Sequence, residues 1–198
     1  MHLGCFDLMT GDVLWSAPLV TGQRTLNMFG RANIEFSAPP PVVSGDSVIV
    51  ATQLGLVASI DLFTGETRWD TLYHPIPLQA PQYYPAGWMQ NRWRNAPPVV
   101  VGDTIVVAPF DGKEIFALDA ASGAMLWSLE QVSLTRATGV QPHFDRRGRT
   151  GGLDVLLAAD ERHLILGGTN VAAIEFADGL RAGPPFVRSW AWPLEGSL

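Results

Sequence analysis

"ALDAASGAMLW", residues 117–127, decides the fold, because its pattern also occurs as "SIDLFTGETRW" at 59–69 and as "CFDLMTGDVLW" at 5–15. In each, a small residue is followed two positions later by Asp, four after that by Gly, and four after the Gly by Trp. Measured at the acid, Asp7 and Asp61 stand 54 residues apart and Asp61 and Asp119 stand 58 apart. A fourth copy, "AIEFADG", puts Ala173, Glu175 and Gly179 in the small, acidic and glycine places; Gly fills position 183, where Trp is due, and Trp190 comes seven residues later. The match extends upstream, where "PPVVSGDSVIVA" (40–51) aligns with "PPVVVGDTIVVA" (97–108). Self-similarity at this period marks one supersecondary unit stacked several times.

Within the third copy the unit resolves into four short strands, "PVVV", "TIVVAP", "EIFALD" and "AMLWSLE", joined by "GD", "DG" and "AASG". Those joints carry the residues of tight turns, so the unit is a four-stranded antiparallel meander. Its two middle strands are apolar at nearly every position, which means that both faces of the sheet are covered. Small sheets covered on both faces and repeated in tandem are blades of a β-propeller. The predicted fold is all-β: a partial β-propeller of about three and a half four-stranded antiparallel blades.

The recurring residues then have structural work. Asp7, Asp61 and Asp119 can accept hydrogen bonds from the backbone N–H groups of the turn that follows, with Glu175 in that place in the fourth copy. Gly11, Gly65, Gly123 and Gly179 can take the left-handed conformation that other residues resist. Trp15, Trp69 and Trp127 are delivered to the outermost strand, where an indole can wedge against the next blade. The small residues Cys5, Ser59, Ala117 and Ala173 leave room for that approach. Catalysis by Asp61 or Asp119 has weak support, since general acid–base work needs a pocketed partner.

The small-x-Asp-x-x-x-Gly-x-x-x-Trp pattern resembles the tryptophan-docking repeat of PQQ-like β-propellers, which occur in quinoprotein dehydrogenases and in a periplasmic lipoprotein that assists outer-membrane protein assembly. The resemblance spans residues 1–17, 39–71, 96–130 and 153 to about 180. It implies the propeller, and it implies a periplasmic or extracytoplasmic setting. For activity it is unspecific, because such repeats are found in enzymes that bind the quinone and in many proteins that do not. Quinone enzymes of this kind carry adjacent cysteines, a catalytic Asp and a Glu/Asn calcium set, whereas Cys5 is the single cysteine here.

Residues 1–17 supply half a blade, 39–71 and 96–130 a blade each, and 153–193 a degenerate blade with a degraded final strand. Closed propellers have about 4 to 8 blades, so the arc has open ends. Met1 falls in the middle of a repeat, and the sequence is expected to be a fragment or truncated frame. Self-association through open blade edges, or capping by long loops, would be the other ways to cover the ends.

Insertions at 18–38, 72–95 and 131–152 all join the outer strand of one blade to the inner strand of the next, which puts them on one face of the disc. Loops gathered on a rigid scaffold are the usual seat of binding. The middle insertion holds Tyr83, Tyr84, Trp88, Arg92, Trp93 and Arg94, residue types that anchor protein interfaces, and these are the candidate partner contacts. In the last insertion, Arg136, Arg146, Arg147 and Arg149 read as a solvated loop instead of a phosphate site.

Composition narrows the field. The 198 residues are 47% hydrophobic with a net charge of −6, which argues for a folded domain and against a nucleic-acid partner. Apolar runs are strand-length, well short of the roughly 20 residues of a membrane helix. No basic leader with an apolar core precedes the first repeat. His2, His74, His143 and His163 lack metal-ligand spacing. The expected function is a noncatalytic scaffold that binds a protein or peptide through its inter-blade loops, with no cofactor. The alternative is a piece of a PQQ-dependent quinoprotein dehydrogenase, in which PQQ and calcium would be bound.

Overall fold

The computed structural model describes residues 1–21, 38–75, 93–140, 143–144 and 150–193. The first pair of strands, β1 (His2–Phe6) and β2 (Val13–Pro18), forms a two-stranded antiparallel sheet. The second sheet is a meander of β3 (Val42–Ser44), β4 (Ser47–Ala51), β5 (Leu56–Asp61) and β6 (Thr67–Leu72). The third repeats it with β7 (Val99–Val101), β8 (Thr104–Val107), β9 (Glu114–Asp119) and β10 (Met125–Glu130). After a helix α1 (Gln131–Thr138) and a small hairpin of β11 (His143–Phe144) with β12 (Thr150–Gly151), the fourth sheet comprises β13 (Leu153–Ala159), β14 (His163–Gly168), β15 (Asn170–Phe176) and β16 (Phe186–Pro193).

Alternation along the buried middle strands divides the core into three layers, one for each gap between sheets. Val48, Val50, Ala58 and Ile60 face back onto Leu3, Trp15 and Ala17 of the first pair. Their neighbours Ile49, Ala51 and Val57 face forward onto Ile105, Val107, Phe116 and Leu118 of the third sheet. Val106, Ile115 and Ala117 in turn meet Leu153, Leu164, Leu166, Ile174 and Phe176 of the fourth. A strand whose successive side chains enter different layers has no polar face, which is why β4, β5, β8 and β9 are apolar at nearly every position. The architecture is an all-β arc of propeller blades.

Two features depart from the sequence reading. The insertion at 131–152 was expected to be loop, yet its first eight residues form α1, closed by Gly139 in the left-handed conformation (φ 69°). Leu134 is fully buried between the third and fourth sheets. Gln131 donates its side-chain N–H to the Leu153 carbonyl at 2.7 Å, and Ser189 donates its hydroxyl to the Ala137 carbonyl. A helix this short draws its stability from such contacts rather than from propensity. The last strand was expected to be degraded, yet seven of the eight residues of β16 pair with β15. Trp190 stands directly across from Ala173, just as Trp15 stands across from Cys5, Trp69 from Ser59 and Trp127 from Ala117. A longer turn delays the tryptophan by seven residues and then restores its register.

Candidate partner-binding face

At the corner between the third and fourth strands, Asp7 Oδ1 accepts from the N–H groups of Met9 and Thr10, both at 2.8 Å. Asp61 accepts in the same way from Phe63 and Thr64, and Asp119 from Ala121 and Ser122. Gly65 and Gly123 hold φ of 75° and 72°. The indole of Trp15 donates to the carbonyl of Leu62 (2.9 Å) and lies over Gly65, where a Cβ would stand 2.7 Å from the ring. Trp69 repeats the contact with the Ala120 carbonyl (2.9 Å) and Gly123. The glycine therefore does two things: it makes the turn, and it leaves the space that the preceding blade's tryptophan fills.

The fourth corner does this with shifted residues. Leu180 N–H bonds to the Glu161 carbonyl as Leu62 does to Asp46 and Ala120 to Asp103. Trp127 donates to the Leu180 carbonyl at 2.7 Å and covers Gly183, which has φ of 77°. Gly183, not Gly179, is the counterpart of Gly65 and Gly123, and Gly179 occupies the place of the acid. Glu175 is four residues too early to cap this turn, and its carboxylate instead lies 3.5 Å from Arg162. Arg181, from the lengthened turn, bridges back to Asp119 Oδ2 (2.5 Å) and to the Asp103 carbonyl (2.8 Å).

The opposite face of the disc carries the turns between second and third strands and the inter-blade links. A cavity of about 530 Å³ opens there between the second and third sheets, lined by Tyr73, His74, Pro75, Pro109, Lys113, Glu114 and Met125 among others. Beneath it, Tyr73 donates its hydroxyl to Asp111 Oδ1 (2.5 Å), and the Gly55 N–H donates to Asp111 Oδ2 (3.0 Å). Burial, with the Asp111 carboxylate next in weight, pushes the Tyr73 phenol well above its ordinary range, so it stays a donor. Gln53, at φ 56°, donates to Asn95 Oδ1 at 2.6 Å and ties the neighbouring turn to the end of the middle insertion. The cavity therefore has an aromatic and apolar floor with both charge signs at its rim, a composition suited to a peptide or side chain. Asp111 was invisible as a buried acid in the sequence, where "FDGK" signals only a turn.

Of the six candidate partner contacts, Tyr83, Tyr84, Trp88 and Arg92 lie outside the described residues. Trp93 does not take the role expected of it: it is fully buried in the layer between the third and fourth sheets. Its ring is too large and too apolar to leave in water when a gap beside Leu134 and Leu153 can hold it. Arg94 is exposed, and its backbone and Nε both bond Asp154, at 2.6 and 2.9 Å. Burial raises the Asp154 carboxyl above its ordinary value, with the Arg94 charge acting against that. Cys5 is a half-buried thiol with no disulfide, opposite Trp15 in the outer strand pair.

Meander blades joined by indole-over-glycine corners define the class, a PQQ-like β-propeller. The chain belongs to the family described as "Outer membrane protein assembly factor BamB", whose model matches residues 2–182. It is similar in structure to BamB from Moraxella catarrhalis, with 18% identity and a TM-score of 0.53 over 95% of this chain and 46% of that one. The dihydro-heme d1 dehydrogenase NirN aligns with 14% identity and a TM-score of 0.52, over 93% of this chain and 32% of that one. A europium-containing methanol dehydrogenase aligns with 12% identity and a TM-score of 0.54, over 97% and 38%. The chain thus spans less than half the length of these structures, and they include both an assembly factor and dehydrogenases. Among curated proteins, no sequence matches. No helix among the described residues is long and apolar enough to cross a membrane.

Proposed function

We propose that the chain is a noncatalytic propeller scaffold that binds a protein or peptide partner on its loop face, in an extracytoplasmic setting beside outer-membrane protein assembly. The cavity between the second and third sheets supports this reading most directly. It sits among the inter-blade links, and it is floored by rings and rimmed by His74, Lys113 and Glu114. An anchoring side chain of a partner would lose water there while its polar neighbours meet the rim. The name of the matched family points to the same kind of partner. For the quinoprotein alternative, no group of three His, Cys, Asp or Glu side chains gathers where calcium could sit among the described residues.

A photo-crosslinking side chain placed at Lys113 tests the reading against one placed at Ser122 on the opposite face. Crosslinks to a discrete protein from Lys113 alone are the expected result. Equal capture from both positions, or a PQQ absorbance shift on adding quinone and calcium to the purified chain, would overturn it.

A further inference from the structure

Two neighbouring gaps between sheets can be compared residue by residue. Leu56 pairs with Leu72 as Glu114 pairs with Glu130, so Tyr73, the residue after β6, corresponds to Gln131, the residue after β10. On the facing sheets, Thr104 pairs with Asp119 as His163 pairs with Glu175, so Phe116 corresponds to Ala172 and Leu118 to Ile174. Met125, across from Leu118, corresponds to Ser189, across from Ile174. From Gln131 the chain turns into α1, which lies on β10, β13, β15 and β16 and drives Leu134 into the gap, while the Ser189 hydroxyl donates to the Ala137 carbonyl near its end. At Tyr73 the chain does not turn. His74 precedes Pro75, a position that disfavours the helical conformation, and the Tyr73 hydroxyl is bound to Asp111. The place that α1 fills between the third and fourth sheets is therefore the cavity between the second and third. Its walls include Phe116 where β15 has Ala172, and Met125 where β16 has Ser189. Leu72 and Met125 are 78% and 46% exposed at its edge.

We propose that the cavity receives a short amphipathic helix of a partner protein, which inserts one leucine as α1 inserts Leu134 and sets an acidic side chain beside Lys113. This rests on the partner-binding reading of the loop face and gives that partner a shape and a charge. Size agrees: one helical turn, about 5.4 Å of pitch and about 10 Å across, occupies about 420 Å³, comparable with the cavity's 530 Å³. The floor is apolar, because the Phe116 ring and the Tyr73 ring form it and the Tyr73 hydroxyl is already bound. The rim selects the charge. Glu114 accepts from the Ser128 hydroxyl, whereas the exposed Lys113 meets no carboxylate among the described residues, and His74 stands exposed on the other wall. An acidic residue one turn from the inserted leucine answers that cation.

Fluorescence polarisation tests this with a labelled peptide of about 12 residues, held helical by a lactam bridge because a helix this short is marginal alone. It carries one leucine and, one turn away, one glutamate. Saturable binding to the chain is expected, weakened by about tenfold or more when the peptide's leucine is replaced by alanine. Lys113→Glu should weaken it about twofold to fivefold, and a peptide with lysine in place of the glutamate should then bind the variant better than the parent. That reversal separates docking from misfolding. Equal binding of an unbridged peptide with a central proline, which cannot be helical, would overturn the proposal, and so would no binding of either. In both cases a discrete protein captured from a crosslinker at Lys113 would preserve the loop-face reading, and its absence would remove both. A photo-crosslinker at position 125 that joins residues 76–92 of the same chain would show the cavity covered by the chain's own insertion and would overturn the proposal as well.

Discussion

Trp127 lies over Gly183, with its indole N–H 2.7 Å from the Leu180 carbonyl, although position 183 is where the repeat spacing called for another tryptophan. The joint survives because geometry, not residue count, is what the next blade must supply: a left-handed glycine without a Cβ and one outward carbonyl. The fourth copy reaches that geometry four residues late. It gives up the acid of the corner, and Arg181 is then placed to bridge the third and fourth sheets through Asp119.

Two costs can therefore be separated at the glycines. Gly11→Ala meets no atom of the described residues, so its cost is that of backbone conformation alone, about 1 kcal/mol. Gly65→Ala and Gly183→Ala pay that and also push a Cβ into a ring that stands 2.7 and 2.5 Å away, which adds overpacking of about 1–3 kcal/mol. Urea midpoints of the three variants should rank Gly11→Ala well above the other two. Equal shifts would mean that the rings are not seated on the glycines.

Truncating the docking tryptophans should be costlier still. Trp69→Ala and Trp127→Ala each remove a nearly buried ring and its hydrogen bond, an expected loss of about 3–5 kcal/mol in denaturant unfolding. Trp93→Ala belongs with them, despite its place in the aromatic insertion, because it is fully buried. If Trp93→Ala melted like the parent and lost a loop-face partner, the burial described here would be wrong.

How much of this was readable beforehand follows from what each signal encodes. The blades were legible because a small set of turn residues and two apolar strands recur at fixed spacing, and stacked sheets leave no polar face to blur the pattern. The lengthened turn at 177–185 was misread since Gly179 and Gly183 are both glycines four apart, and only backbone hydrogen bonds reveal which one faces Trp127. Helix α1 was missed because "QVSLTRAT" buries a single residue, Leu134, too little to give a helical period. Trp93 was misjudged with its neighbours because composition marks an insertion as aromatic without saying which rings turn inward. Tyr73 and Asp111 lie 38 residues apart, and a buried pair at that distance leaves no local trace.

That pair yields a third prediction. Tyr73→Phe keeps the ring that packs beside Phe116 at 5.4 Å and removes one donor from a carboxylate that is 1% exposed. Weakening the solvation of a buried charge in this way should cost about 1–3 kcal/mol. Asp111→Asn, which cancels the charge and keeps an acceptor for the Tyr73 hydroxyl, should recover part of that loss when combined with Tyr73→Phe. A double-mutant cycle measures it, and strict additivity would show that the two side chains do not act together.

Acid should loosen the outer corners through the Arg-linked aspartates. Arg181, more than the Ser122 hydroxyl and backbone, holds Asp119 down at about 2, and Arg68 together with the Thr64 and Phe63 N–H groups holds Asp61 lower still. An unfolded aspartate titrates near 3.9, so the folded chain binds fewer protons at these sites than the unfolded one. Their stabilisation is complete above about pH 4 and is lost as pH falls toward about 2. Asp154 has the opposite sign, because burial raises its carboxyl and its protonation favours the folded form. Arg181→Ala removes the largest cause of the Asp119 shift. Its urea midpoint should therefore fall less steeply over that pH interval than the parent's, with the two curves converging at the acid end. Parallel curves would mean that Arg181 and Asp119 do not interact in solution.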